Sequence, residues 1–503
     1  MPKGNIMKIF RISGGIHPKG NKELSAEKAI EPVPMPSVLR IPLQQHIGAP
    51  AVPIVAKGDV VKKGQLLAIA RGAVSAPVHA PTSGRIVAIG RFVAPHASGL
   101  PGATITMRPD RRDEWGERLP ALDPATAEPS ALAERVGSCG IVGMGGATFP
   151  SAVKLNLRSR HALHTLVINA AECEPYLTCD DRLMRERTDD VFDGIRIMAK
   201  ALGVAKVLIA IEGNKPEALA ALTGAARATG DKSVAVVKVP TRYPMGSEKH
   251  LVQTLTGLET PARALTADIG IVVHNVATAY AVYKAVRLGE PLISRIVTVS
   301  GKAMVRTGNF EVLIGTPIHH LISHCGGHVE EPARLLLGGP MMGQPISSTR
   351  ASIVKGSNGV LALAESEVPS GKTMPCIRCT ACVVACPCGL APFDMAQRIR
   401  NDELDGAVKI GLLDCLSCGS CAWVCPSHVP LVQYFNYAKG KLTAEQRAKH
   451  KQEETKRLSQ FRDMRMDKLK KAKQEAMAKM MAEREAKKKA ELAEAADEAK
   501  VTE

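Results

Sequence analysis

Apolar positions fall in short, interrupted runs in the first fifth of the chain and in longer alternating blocks after it. Between 46 and 93, the runs Ala51–Val55, Leu66–Ile69 and Arg85–Ile89 are broken by Gly58-Asp59, Lys63-Gly64 and Ala80-Pro81-Thr82-Ser83-Gly84. That pattern predicts a small β-domain. Upstream, prolines at 32, 34, 36 and 42 make residues 1–45 an irregular, extended entry segment. From 131 to 290, strand-like runs (Leu166–Ala170, Lys206–Ile211, Ser233–Val239) alternate with helical ones (Arg182–Leu202, Lys215–Thr229). The alternation predicts an α/β sheet domain. Residues 293–365 read as a strand at Ile296–Ser300, a second strand, a helix around His319–Cys325, a further strand and then Gly338-Gly339-Pro340-Met341-Met342-Gly343. Past Gly440 there is no Gly or Pro, and 18 Lys+Arg face 13 Asp+Glu up to residue 503. This tail reads as a long solvated helix, partly frayed, with Leu458, Phe461 and Leu469 as a ragged stripe.

Composition narrows the picture. The 503 residues suffice for several domains. The net charge of +17 points to an anionic partner. Two thiolate-bound clusters would remove roughly four of those charges. Aromatics are only 3%, which argues against base stacking and against a nucleic-acid partner. No apolar run is long enough for a transmembrane helix, and Met1 to Phe10 carries no cleavage signal. The expectation is a chain that stays in the cytoplasm or docks on a membrane from that side.

Of 13 cysteines, 9 lie between 376 and 425, which reads as metal ligation. Cys376-x-x-Cys379-x-x-Cys382-x-x-x-Cys386-Pro387 is followed by Cys415-x-x-Cys418-x-x-Cys421-x-x-x-Cys425-Pro426. Three thiolates at this spacing wrap one face of a [4Fe–4S] cluster, and in two-cluster ferredoxins the last cysteine of each run crosses to the other cluster. The expected ligand sets are therefore Cys376, Cys379, Cys382 and Cys425 for one cluster, and Cys415, Cys418, Cys421 and Cys386 for the other. Zinc motifs pair short Cys-x-x-Cys units without this triplet and Cys-Pro ending. Cys388 is a spare thiol, and Phe393–Arg400 and Glu403–Leu413 read as a helix pair inserted between the motifs.

Four further pieces carry weaker chemistry. Gly143-Met144-Gly145-Gly146-Ala147-Thr148-Phe149-Pro150 leads into a helix near Ser151, with Lys154 one turn in. Glycines and a helix start suit a phosphate, although this is not the dinucleotide fingerprint. Asn169-Ala170-Ala171-Glu172-Cys173-Glu174-Pro175 follows an apolar strand; Tyr243-Pro244-Met245-Gly246-Ser247-Glu248-Lys249 and His274-Asn275-Val276-Ala277-Thr278 complete the set. Cys139 and Cys325 read as core thiols, and His17 as structural.

In this order the four pieces resemble the flavin-mononucleotide and NADH-binding subunit of respiratory complex I and of soluble hydrogenases. The resemblance implies that Gly143, Gly145, Gly146, Lys154, Asn169, Glu172, Glu248, Asn275 and Thr278 line FMN. It also implies that Phe149 and Glu174 lie nearest NADH. Thr148, Ala171, Ser247 and Ala277 depart from that family's pattern. Residues 46–93 resemble the biotinyl/lipoyl barrel-sandwich fold, with Ala70-Arg71-Gly72-Ala73-Val74 where carriers have a lysine, so the module is structural. Residues 293–365 resemble a soluble-ligand-binding β-grasp module.

The whole order, over about residues 8–440, resembles the RnfC (RsxC) family of the Rnf (Rsx) ion-translocating electron transport complexes. The implied architecture is α/β and multidomain. It comprises an N-terminal segment (1–45), a lipoyl-like domain and linker (46–130), a flavin/NADH domain (131–290) and a β-grasp module (291–365). A ferredoxin-type α-helical domain (366–440) and the charged tail (441–503) complete it. The implied function is NADH entry to a flavin and two clusters, electron exchange with membrane subunits and with ferredoxin, and ion movement elsewhere in the complex. The implied location is peripheral, on the cytoplasmic face of a bacterial inner membrane. A soluble cobalamin-type flavin/iron–sulfur reductase and a non-catalytic electron-wire adaptor remain alternatives.

Overall fold

The computed structural model describes residues 8–501, with side chains up to residue 494. The chain divides into two units at residue 435.

The entry segment is not irregular throughout. It holds strand β1 (Ile30–Pro32) and strand β2 (Leu39–Pro42), each at the edge of a different sheet. An edge strand tolerates a missing N–H, so Pro32 and Pro42 close these strands while Pro34 and Pro36 lie in the link between them. Next come β3 (Val52–Pro53), β4 (Val60–Val61), β5 (Leu66–Ile69), β6 (Val78–His79), β7 (Gly84–Val93) and β8 (Pro101–Pro109). They form two antiparallel sheets, β2-β8-β7-β4 and β3-β5-β6, closed over Leu39, Ile41, Leu67, Ile86 and Met107.

The α/β domain runs α1 (Pro129–Ser138), α2 (Ser151–Leu155), β9 (Thr165–Ala170), α3 (Cys179–Glu186), α4 (Thr188–Leu202), β10 (Lys206–Glu212), α5 (Pro216–Thr229), β11 (Val234–Val239), α6 (Glu248–Thr256), β12 (Ile271–Asn275) and α7 (Val276–Arg287). Its parallel sheet has the order β11-β10-β9-β12. The central strands are buried on both faces, hence their nearly continuous apolar sequences. The single helix expected over 182–202 is two helices. The backbone leaves helical geometry at Arg187, and Thr188 Oγ1 donates back to the Met184 carbonyl (2.7 Å).

The third domain comprises β13 (Ser294–Ser300), β14 (Gly308–Leu313), α8 (Ile318–His324), β15 (Arg334–Leu337), β16 (Gln344–Pro345) and β17 (Gly359–Leu363). Its sheet order is β1-β14-β13-β17-β15-β16, so the entry segment supplies an edge strand here as well. The cysteine region has short helices α9 (Ala381–Ala385), α10 (Pro392–Arg400), α11 (Leu404–Lys409) and α12 (Ser420–Trp423). The second inserted helix is shorter than expected, because Gly411 at φ +99 turns the chain into the 3₁₀ turn Leu412–Asp414. Helix α13 (Leu431–Val501) continues as the charged tail. No described helix is long and apolar enough to cross a membrane.

Candidate cofactor sites

The four sequence pieces meet at the carboxyl ends of the parallel strands, where open α/β sheets place their ligands. Asn169 and Asn275 are register neighbours on β9 and β12. The glycine loop is closed at its base by Gly143 N–H donating to Phe149 O (2.8 Å), which leaves Gly145 and Gly146 at an exposed tip. Gly145 lies against Asn275; a Cβ there would sit 3.0 Å from the Asn275 Cβ. Met144 N–H donates to Thr278 Oγ1 (3.0 Å), tying the loop to α7. Asn275 caps α7 by accepting from Ala277 N–H (2.9 Å). Asn169 Nδ2 donates to Gly246 O (2.7 Å). Lys154 Nζ reaches Glu248 (3.1 Å) and Val273 O (2.9 Å). His274 Nε2 is buried without a hydrogen-bond partner at the same strand end.

Two of the four departures from the complex-I pattern have local explanations. Thr148 keeps the left-handed backbone (φ +49) that a glycine would supply. Ser247 occupies the N-cap position of α6, its hydroxyl 2.9 Å from His250 Nδ1.

Glu172 and Glu174 are both held by backbone N–H groups. Glu172 accepts from Asp180 N–H (2.7 Å) and Asp181 N–H (3.3 Å), so its carboxylate caps the start of α3. Burial pushes its carboxyl up, opposed by Lys22 and Lys215. Glu174 accepts from Met341 N–H (3.1 Å) and Met342 N–H (2.9 Å) of the third domain, and burial raises its carboxyl to about 7.

Sequence reading missed the cations that hold this loop. Lys22 Nζ donates to the carbonyls of Glu172, Glu174 and Leu177. Lys215 Nζ donates to Ala171 O (2.7 Å) and pairs with Glu212 (3.5 Å) in full burial. Arg295, fully buried on β13, reaches Ser357 O (3.0 Å) and Met144 O (3.4 Å). Lys22 lies 150 residues from Glu172, in a segment whose pattern suggested no packing.

The two cysteine motifs adopt one backbone conformation twice. Arg378 and Ser417, Thr380 and Gly419, and Gly389 and His428 are matching left-handed positions. Matching N–H groups point at sulfur: Arg378 to Cys376 and Ser417 to Cys415, Leu390 to Cys386 and Val429 to Cys425, all 3.4 Å. Cys386, Cys415, Cys418 and Cys421 line one cavity, with Cys388 also on its wall. In the other motif Cys376 and Cys379 both lie close enough to Cys382 to raise its thiol electrostatically. A wall of convergent thiols with N–H groups aimed at sulfur suits an iron–sulfur cluster.

The cavity abuts the α/β domain. Tyr243 Oη donates to Cys418 O (2.7 Å), and His250 Nε2 lies 2.8 Å from Pro387 O. Gly15 N–H donates to Ala385 O (2.9 Å), and Gly14 (φ +58) sits where a Cβ would meet Cys386 O at 2.3 Å. Ile16, Tyr243, Ala385 and Cys418 form one apolar cluster, flanked by Cys173 and Met341.

Family models match throughout. An RnfC barrel sandwich hybrid domain covers 10–112, a Nuo51 FMN-binding domain 136–284, an SLBB domain 296–345 and a 4Fe-4S dicluster domain 375–429. The RnfC protein of the ion-translocating oxidoreductase complex of Rhodobacter capsulatus is 61% identical over 444 residues, 88% of this chain and 85% of that protein. Its counterpart in Pseudomonas aeruginosa is 44% identical over 459 residues, 91% of this chain and 59% of the relative. Among solved structures, an air-oxidised NAD+-reducing [NiFe]-hydrogenase overlaps 58% of this chain and 60% of its own, with a TM-score of 0.45 at 19% identity. The chain belongs to the RnfC family of ion-translocating oxidoreductase complex subunits.

Proposed function

We propose that this chain exchanges electrons with NADH at a flavin and passes them through two [4Fe–4S] clusters to its partner subunits. It is a subunit of an ion-translocating electron transport complex with flavin and iron–sulfur chemistry. The association with the membrane is peripheral, and we place it on the cytoplasmic face, with membrane subunits and ferredoxin as partners.

One observation carries the reading: a single segment, 243–250, touches both candidate sites. Gly246 O binds Asn169 at the strand-end loops, and Tyr243 Oη binds Cys418 O at the cysteine cavity.

For FMN, the exposed glycine tip, the neighbouring Asn275 and Asn169 and the unpartnered His274 Nε2 fit a polar cofactor. We assign Gly143, Gly145, Gly146, Lys154, Asn169, Glu248, Asn275 and Thr278 to hold it. Glu172 shapes the wall from behind, and Phe149 and Glu174 border the nicotinamide side. An FMN held by these residues would supply the switch from two-electron hydride chemistry to single-electron transfer. Lys154 supplies positive charge beside Glu248 without taking a proton from substrate. For the clusters we assign Cys376, Cys379, Cys382 and Cys425 to one set, and Cys386, Cys415, Cys418 and Cys421 to the other.

Anaerobic reconstitution with iron, sulfide and FMN tests the proposal. It predicts about eight irons per chain, one FMN, and bleaching of both flavin and cluster absorption on adding NADH. Full cluster loading without FMN retention would favour the adaptor reading instead.

A further inference from the structure

Gly338-Gly339-Pro340-Met341-Met342-Gly343, between β15 and β16, has no role in the function proposed so far. It folds into a tight turn. Gly338 has φ +100; a Cβ at Gly343 would stand 2.2 Å from Gly339 O, and one at Gly339 would stand 2.2 Å from Glu174 Oε2. Only glycine permits that approach. The turn is thereby pressed onto Glu174, whose carboxylate accepts the Met341 and Met342 N–H groups. On its other side Met341 packs against the cluster of Ile16, Tyr243, Ala385 and Cys418, and a Cβ at Gly419 would lie 3.2 Å from Met341 O and 3.4 Å from Met341 Cε. Gly419 lies between Cys418 and Cys421, in the left-handed conformation (φ +82).

We propose that this turn is a dry wedge between the flavin domain and the cluster held by Cys386, Cys415, Cys418 and Cys421, and that Met341 keeps the potential of that cluster low. Glu174 is then a positioning residue that seats the wedge. The inference rests on the cluster assignment above. Reduction adds negative charge to a cluster, and water stabilises the more highly charged state, so solvent exposure raises its potential. A half-buried thioether over the Cys418–Gly419 bend excludes that water. The other motif is more open: residues 371–380, with Cys376 and Cys379, are exposed, and only its third cysteine, Cys382, is buried.

The experiment is a potentiometric EPR titration of the reconstituted full chain. A Cys379→Ser chain, lacking the 376–382 cluster, assigns the signals. Wild type must show two clusters; fewer would defeat the cluster assignment and leave the wedge without an object. Given two, Met341→Ala is expected to raise only the wedge-side midpoint, shifting electron occupancy toward that cluster by about three- to tenfold, where tenfold corresponds to about 59 mV for one electron. Met341→Leu, which keeps the bulk, should leave both midpoints in place, and Glu174→Gln should shift the same cluster in the same direction by less. The signal of the other cluster reports that each variant is folded. Unmoved midpoints in Met341→Ala, equal movement of both, or an equal shift in Met341→Leu would overturn the proposal.

Discussion

The two cysteine motifs share their backbone and differ in their surroundings. Both use left-handed residues at matching places and aim matching N–H groups at sulfur. Yet Cys376 and Cys379 are exposed, whereas Cys418 is buried in a cluster with Ile16, Tyr243 and Ala385 that Met341 flanks. Ile377 (69% exposed) and Val384 (75%) carry apolar surface into solvent beside the first motif. The comparison teaches that local spacing sets the loop, while the packing neighbour sets how a cluster there is wetted and what it can reach. Both motifs touch the flavin domain, the first at Ala385–Pro387 and the second at Cys418, and only the first leaves its opening cysteines in solvent.

Removing one ligand from each motif gives the largest expected difference. Cys418→Ser is expected to abolish NADH-driven reduction of both clusters. Cys379→Ser should leave the covered cluster reducible by NADH and silence only the open one. EPR after NADH addition distinguishes them.

The next effect is a pH dependence at the seat of the wedge. Burial raises Glu174 from the ordinary value of 4.5 to about 7. The folded chain therefore holds that proton more tightly than the unfolded chain. The resulting stabilisation is complete below about 4.5 and disappears as the pH rises through about 7. It amounts to no more than about 3 kcal/mol. Glu174→Gln lacks it, so wild type should lose stability relative to the variant as the pH rises from about 4.5 to about 7, read by anaerobic thermal melts.

A smaller effect separates the matched pair Thr380 and Gly419. Gly419→Ala should cost about 1–2 kcal/mol from its left-handed backbone, with added crowding against Met341 O. Thr380→Gly should change stability by less than about 1 kcal/mol, because Thr380 is exposed. Rates of cluster loss to a chelator, measured per cluster, check both.

The cysteine motifs were legible because their chemistry is local: ligand spacing is written directly in the sequence. The α/β alternation was legible for the same reason, although the break at Arg187 depends on one hydroxyl, Thr188, turning back on its helix. Strands β1 and β2 were not legible. Their prolines argue against structure, and only partners far along the chain, Asn309 for Ile30 and Met107 for Leu39, make them strands. The same distance hid the seat of the wedge, where Glu174 and Met341 are 167 residues apart. It hid Lys22 as well, whose three carbonyl partners hold the Glu172–Leu177 loop. Buried polar contacts of this kind leave no periodicity to read.

The proposed electron path runs from the strand-end site, through the 243–250 segment, to the covered cluster and then to the open one. Rapid freeze-quench EPR of the reconstituted chain, mixed anaerobically with NADH, tests it most directly. The account predicts that the signal absent from Cys418→Ser appears first and the signal absent from Cys379→Ser follows. Reduction of the open cluster first, or clusters that dithionite reduces and NADH does not, would contradict it.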